Sequence, residues 1–184
     1  SCLKKFLNKG DTFIDIGANI GYFSTIGAGY VGEKGKVICF EPIEKYYLRI
    51  KHLAEINPRY TIVPEKLACD SKERVKEIQM TKDIPGKSSI GMNSMVEGFR
   101  DNSIIEGKFK INTIKLDDYI FQNNLKEIKF IKIDVEGFEF EVIKGMAKFL
   151  KSSESDNLIL FCEISQEAYK FFDYKKKFKG FLEY

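Results

Sequence analysis

The chain has a single histidine, His52, and four cysteines spread far apart, Cys2, Cys39, Cys69 and Cys162. One histidine excludes a multi-histidine metal site. It also leaves a Ser-His-Asp hydrolase only His52, which sits amid Leu48, Ile50, Leu53 and Ala54 and reads as a helix-surface or core residue. Cys39 and Cys162 lie inside apolar runs (VICF and LILFCEI). They read as reduced, buried thiols of a cytoplasmic protein, with neither a disulfide framework nor a zinc site. No metal is expected. No apolar run approaches the roughly 18 residues of a membrane span. The first ten residues carry Lys4, Lys5 and Lys9 but no apolar core of a secretory signal, so no membrane partner is expected. Charge of one sign is also scarce. Lys and Arg total 30 against 27 Asp and Glu, a net charge of +3 with the signs interspersed. That balance gives no footprint for nucleic acid. The chain starts at Ser1 rather than Met, which reads as a processed or excised piece.

What is present is the pattern of one α/β domain spanning residues 1–184, with its core over about residues 10–165. Short apolar runs alternate with helix-period stretches. Residues 11–16 (DTFIDI), 36–41 (KVICFE), 60–63, 128–134 (IKFIKID) and 158–164 (LILFCEI) read as strands. Residues 19–31, 43–56, 116–123, 137–151 and 165–177 read as helices, the second with Tyr47, Ile50, Leu53 and Ala54 on one face. Residues 74–80 suit an edge strand and 109–114 another. Residues 81–108 are polar, glycine-containing and without a period, the composition of a functional loop. Strands that are near-continuous apolar runs between helices predict a mostly parallel sheet with helices on both faces. Such sheets bind ligands at the carboxyl ends of their strands. Here four strands end on or near a carboxylate: Asp15, Glu41, Asp134 with Glu136, and Glu163.

The turn DIGANIG follows the first strand and opens a helix, placing Asp15, Gly17, Ala18, Asn19 and Gly21 at that strand's end. Glu41 lies 20 residues after Gly21 at the end of the second strand, the offset of a carboxylate that accepts ribose hydroxyls. Loop and carboxylate together read as a nucleoside-cofactor site. A pyrophosphate needs a G-x-G-x-x-G loop, whereas Asn19 stands in the middle glycine's place. Asp15 beside the turn disfavours a doubly charged pyrophosphate and suits a cationic ligand. S-adenosylmethionine, with its sulfonium and amino-acid end, therefore fits better than NAD.

DIGANIGYFS (residues 15–24), FEP (40–42) and IKIDVEGFEFEVIKG (131–145) resemble the FkbM family of S-adenosylmethionine-dependent methyltransferases. LACD (67–70), LDDY (116–119) and FCEI (161–164) agree with it. The resemblance implies a Rossmann-like class I methyltransferase fold with a seven-stranded sheet; of its final strand pair the chain reaches only residues 178–184, so either the sheet is short here or the sequence is incomplete at both ends. It implies methyl transfer to a hydroxyl of a sugar, glycan or secondary metabolite. By the same resemblance Asp15, Gly17, Ala18, Asn19 and Gly21 would hold the methionine end. Glu41 and Pro42 would hold the ribose, and Leu67 and Ala68 would lie near the adenine. Asp134, Glu136 and Gly137 would line the reacting end.

A hydroxyl acceptor must lose a proton, which calls for a general base. With histidine excluded, Asp134 and Glu136 are the candidates, two residues apart at a strand end; Asp134 is alternatively a ligand of the cofactor's amino group, and Glu136 a helix cap. Glu139 and Glu141 read as a solvated helix face. Lys132, on a strand that should be buried, needs a partner or an edge. Ser88, Ser89, Asn93 and Ser94 are candidate contacts for a hydroxyl-rich acceptor. The competing readings are an RNA methyltransferase, which would show a concentrated basic face, an inactive cofactor-binding module, and an NAD-linked oxidoreductase.

Overall fold

In the computed structural model, which describes residues 3–81 and 105–164, the chain runs α1 (Leu3–Phe6), β1 (Thr12–Ile16), α2 (Tyr22–Val31), β2 (Lys36–Phe40), α3 (Glu44–Ile56) and β3 (Thr61–Glu65). It continues through β4 (Ala68–Cys69), β5 (Arg74–Thr81), β6 (Ile105–Ile114), α4 (Leu116–Gln122), β7 (Ile128–Ile133), α5 (Glu139–Lys144), α6 (Ala147–Leu150) and β8 (Ile159–Cys162). Five parallel strands form one sheet in the order β3-β2-β1-β7-β8. The side chains of β1 alternate between two cores. Ile14 and Ile16 join Ile131, Ile133, Leu116, Val142 and Met146 on one face; Phe13 joins Val37, Phe130, Ala28, Val31 and Ile50 on the other. A strand covered on both faces has no reason to alternate polar with apolar, which is why β1, β2 and β7 are mostly apolar, with Asp15 and Lys132 as buried charged exceptions. The buried stripe of α3 runs through Tyr46 and Ile50 rather than Tyr47.

Three expectations change. The described strands form two sheets rather than one: β4, β6 and β5 make a separate three-stranded sheet, with β5 antiparallel to β6. It packs Ala68, Ile78, Met80 and Ile111 onto Ile43, Tyr46 and Phe138, so it stands over the carboxyl ends of β2 and β7. The irregular stretch expected over residues 81–108 is shorter, because Thr81 and residues 105–108 belong to this hairpin. Lys108, Phe109 and Lys110 are exposed, and an exposed hairpin is held by backbone pairing without needing an apolar run. Residues 82–104, with Ser88, Ser89, Asn93 and Ser94, and residues 165–184, with the predicted last helix and the C-terminal strand pair, lie outside the described residues.

Third, the helix expected over residues 137–151 is two short ones. The Gly145 carbonyl accepts the Asp117 N–H at 2.9 Å. The Asp117 carboxylate accepts the N–H groups of Lys148 (3.0 Å) and Phe149 (2.8 Å), capping α6 from outside its own chain segment. Asp117→Ala is expected to cost about 0.5–2 kcal/mol of stability, the range for losing an N-cap, without altering ligand binding; chemical denaturation checks it. Among the described residues, no helix is long and apolar enough to cross a membrane.

Candidate active site

The turn after β1 is built from backbone that only small residues tolerate. Gly17 has φ 77°, and a Cβ there would overlap the Asp134 carbonyl as β7 leaves the sheet. Gly21 has φ 84° at the start of α2, where a Cβ would press on Leu53 and Ile50 of α3. The N–H groups of Gly17 and Ala18 both donate to the Phe40 carbonyl at 3.0 Å, tying the turn to β2.

Glu41 binds this turn to the next loop. Its Oε2 accepts the Asn19 N–H and its Oε1 the Ile43 N–H, each at 2.9 Å. Only 5% of the residue is exposed, and burial pushes its carboxyl up to about 7, against the two backbone donors that favour the ionised form. Each carboxylate oxygen keeps a second lone pair for a ligand hydroxyl.

Asp15 is fully buried. Its Oδ2 accepts the Ser24 hydroxyl at 2.6 Å, and burial raises its pKa despite Lys132. Lys132 is its cross-strand register partner. The lysine is 3% exposed and finds carboxylates rather than an edge: its Nζ lies 3.1 Å from Asp134 Oδ2 and 3.5 Å from Asp15 Oδ1.

One cavity of about 130 Å³ gathers these strand ends. Gly17, Asn19, Glu41, Pro42, Ala68, Asp134 and Glu136 line it, with Ile78 of the second sheet on its wall. Of the expected site residues, Asp15, Ala18, Gly21, Leu67 and Gly137 do not line it. Asp15 and Ala18 lie buried behind the turn, Gly21 starts α2, and Leu67 packs against the core. A larger cavity of about 700 Å³, edged by Phe121, Lys148 and Glu154 at the start of β7, carries none of the strand-end groups.

Sequence reasoning missed Glu139. Expected on a solvated face, it is 2% exposed. Its Oε1 accepts the Gly137 N–H at 2.9 Å, so Glu139 braces the β7–α5 turn in the role expected of Glu136. Burial raises its pKa. Glu136 instead has φ 52° and faces the cavity. The signal was the EGFE spacing, which allows a carboxylate to reach back to a free N–H at the turn. Glu141 is partly solvated and bonds Ser71 and Lys144. The thiols of Cys39, Cys69 and Cys162 are free, and burial pushes that of Cys162 up to about 12.

The charged residues lining the cavity among the described ones are Glu41, Asp134 and Glu136, all carboxylates. That donor set fits a cationic ligand with hydroxyls and opposes a pyrophosphate.

Comparison with known proteins bears on the family and the fold. The family described as Methyltransferase FkbM domain matches residues 15–183. A curated relative, the hexuronic acid methyltransferase AglP of Haloferax volcanii, is 27% identical over 142 residues, covering 77% of this chain and 52% of the relative. The chain therefore spans about half the length of that relative. Among solved structures, a protein provisionally named an rRNA-methylase from Clostridium thermocellum shares the fold, with a TM-score of 0.56 and 17% identity. The match covers 99% of this chain and 75% of that one. A methyltransferase FkbM from Methylobacillus flagellatus KT matches with a TM-score of 0.48 and 18% identity, over 77% of this chain and 30% of that one.

Proposed function

The chain belongs to the FkbM methyltransferase family, and from that premise we propose that it methylates a hydroxyl of a sugar or glycan with S-adenosylmethionine. The observation that supports this most is the convergence of the Gly17–Asn19 turn, Glu41, Asp134 and Glu136 on one cavity whose charged groups are all anionic. The hexuronic acid activity of the Haloferax relative favours a sugar acceptor. An RNA acceptor finds less support, since a polyphosphate would meet Glu136 and Asp134 at the mouth of the site. The free thiols of Cys39, Cys69 and Cys162 favour a reducing, cytoplasmic setting.

When bound, S-adenosylmethionine supplies a methyl carbon already activated by its sulfonium. The turn backbone at Gly17–Asn19 and the Asp134 carboxylate hold its amino-acid end. Asp15 supports that turn from behind through Ser24, and Gly21 and Ala18 shape it. Glu41, beside Pro42, holds the ribose hydroxyls, and Ala68 flanks the base. Glu136 takes the acceptor hydroxyl's proton on a carboxylate oxygen. Holding both reactants in line contributes roughly 7–11 kcal/mol to the rate. No metal is assigned a part.

Glu41 makes cofactor binding pH-dependent. Ionised, it serves the Asn19 and Ile43 N–H groups and the ribose together; protonated, it serves them poorly. Its folded pKa of about 7 lies well above the ordinary carboxyl range. Affinity for S-adenosylmethionine is expected to fall by up to about tenfold per pH unit below 7. Stability runs the other way. The folded state holds the proton more tightly, so this group's contribution to stability declines as pH rises from the ordinary carboxyl range to about 7. Glu41→Gln flattens both trends. Calorimetric titrations and thermal melts across that range test this; equal affinity on both sides of pH 7 in the wild type would refute it.

A further inference from the structure

Lys132 has more carboxylate around it than one ammonium needs. Its Nζ donates to Asp134 Oδ2 at 3.1 Å. It faces Asp15 Oδ1 at 3.5 Å and stands 5.0 Å from the centre of the Phe23 ring. Asp15 Oδ1 is buried and accepts no hydrogen bond, although the other oxygen of the same carboxylate is held by Ser24 at 2.6 Å. A buried carboxylate oxygen without a full hydrogen bond is costly, and here Asp15 Oδ1 has only the longer of the two Lys132 ion pairs, at 3.5 Å. Asp134, by contrast, is partly open, lines the cavity, and spends one oxygen on Lys132.

We infer that Lys132 is a positioning residue shared between two carboxylates. It rests on Asp134 in the free protein and is handed to Asp15 when a ligand ammonium takes Asp134. The cluster then has one cation for each carboxylate only in the bound state. Free, Lys132 hydrogen-bonds Asp134 and reaches Asp15 Oδ1 only as the longer ion pair. Bound, the ligand ammonium pairs with Asp134 and Lys132 with Asp15. No proton or electron changes hands, and Nζ moves by less than the length of a bond. This inference rests on the reading of the cavity as a site for the cofactor's amino-acid end.

The test compares S-adenosylhomocysteine, which has that end, with 5′-methylthioadenosine, which lacks it. Binding of both is measured by calorimetry on the wild type, Asp15→Asn, and the double variant Asp15→Asn/Lys132→Met. In Asp15→Asn the lysine loses its second carboxylate and competes with the ligand for Asp134. S-adenosylhomocysteine should weaken by about tenfold or more, the scale of one charged hydrogen bond, while methylthioadenosine stays within about twofold. In the double variant the competitor is gone, and S-adenosylhomocysteine affinity should recover at least about fivefold over Asp15→Asn. A merely structural Asp15 would weaken both ligands alike and show no recovery, which overturns the inference. If the wild type binds methylthioadenosine but gains nothing from the amino-acid end, the inference also falls while the nucleoside site stands. If the wild type binds neither ligand, the cofactor reading falls and this inference falls with it.

Discussion

Glu136→Gln is expected to lower kcat by about 10²–10⁴-fold, the usual contribution of a general base, with cofactor affinity changed by no more than about twofold. The expectation comes from backbone and position together. A non-glycine residue at φ 52° costs on the order of 1–3 kcal/mol. Glu136 keeps that conformation beside Gly137, which adopts φ 95°, and the result is a turn that brings Glu136 to the cavity wall. It is not needed as the turn's brace, because Glu139 already accepts the Gly137 N–H. Asp134 is less suited to be the base, since its carboxylate is engaged by a cation throughout, Lys132 in the free protein and the ligand ammonium in the bound one. Asp134→Asn should therefore weaken cofactor binding by about tenfold or more, the loss of one charged hydrogen bond. Single-turnover rates beside equilibrium titrations separate the two variants. If Asp134→Asn slowed the chemical step at unchanged affinity while Glu136→Gln did not, their roles would be exchanged.

Gly17→Ala is expected to remove cofactor binding, with affinity falling by more than about a hundredfold. Two costs add. An alanine at φ 77° is strained by roughly 1–2 kcal/mol. Its Cβ also overlaps the Asp134 carbonyl, which is backbone and cannot swing aside as a side chain would. The Asp134 N–H is meanwhile held by the Ile16 carbonyl at 3.1 Å, so β7 and the turn must separate together. That motion displaces Asn19 from Glu41 and Asp134 from the cavity at once. Stability should fall by on the order of 2–4 kcal/mol, from the strained backbone plus the overlap. Gly29→Ala is the control: a Cβ there meets nothing within 4 Å, and φ is ordinary. Matched denaturation and binding curves for the two variants check the contrast. Normal binding by a folded Gly17→Ala protein would remove the turn from the cofactor site.

What the sequence disclosed follows from which forces are local. β1, β2 and β7 were legible because burial on both faces leaves no position for a polar side chain except where one has a task, as Asp15 and Lys132 do. Those two were conspicuous as polar residues in apolar runs. Their pairing was not legible, because it depends on the register that sets Asp15 opposite Lys132 across two strands far apart in sequence. The hairpin of β5 and β6 was only partly visible, since Lys108, Phe109 and Lys110 are exposed and its pairing is backbone to backbone. The break between α5 and α6 was hidden for a similar reason. The helical period runs through it, and what interrupts the helix is Asp117, more than two dozen residues away. The strand-end carboxylates were found by position alone, and Glu41, Asp134 and Glu136 do share one cavity. Glu139 was misread because amphipathic spacing places it on the outer face, whereas the turn before it draws its side chain inward to a backbone N–H.

On the proposed reading, the anionic cavity at the ends of β1, β2 and β7 holds S-adenosylmethionine. This is tested most directly by calorimetric titration of the wild type and Glu41→Ala with S-adenosylmethionine and, separately, NADH. Micromolar binding of S-adenosylmethionine, weakened more than about tenfold by Glu41→Ala, and no binding of NADH are expected. NADH binding, or S-adenosylmethionine binding indifferent to Glu41→Ala, would contradict it.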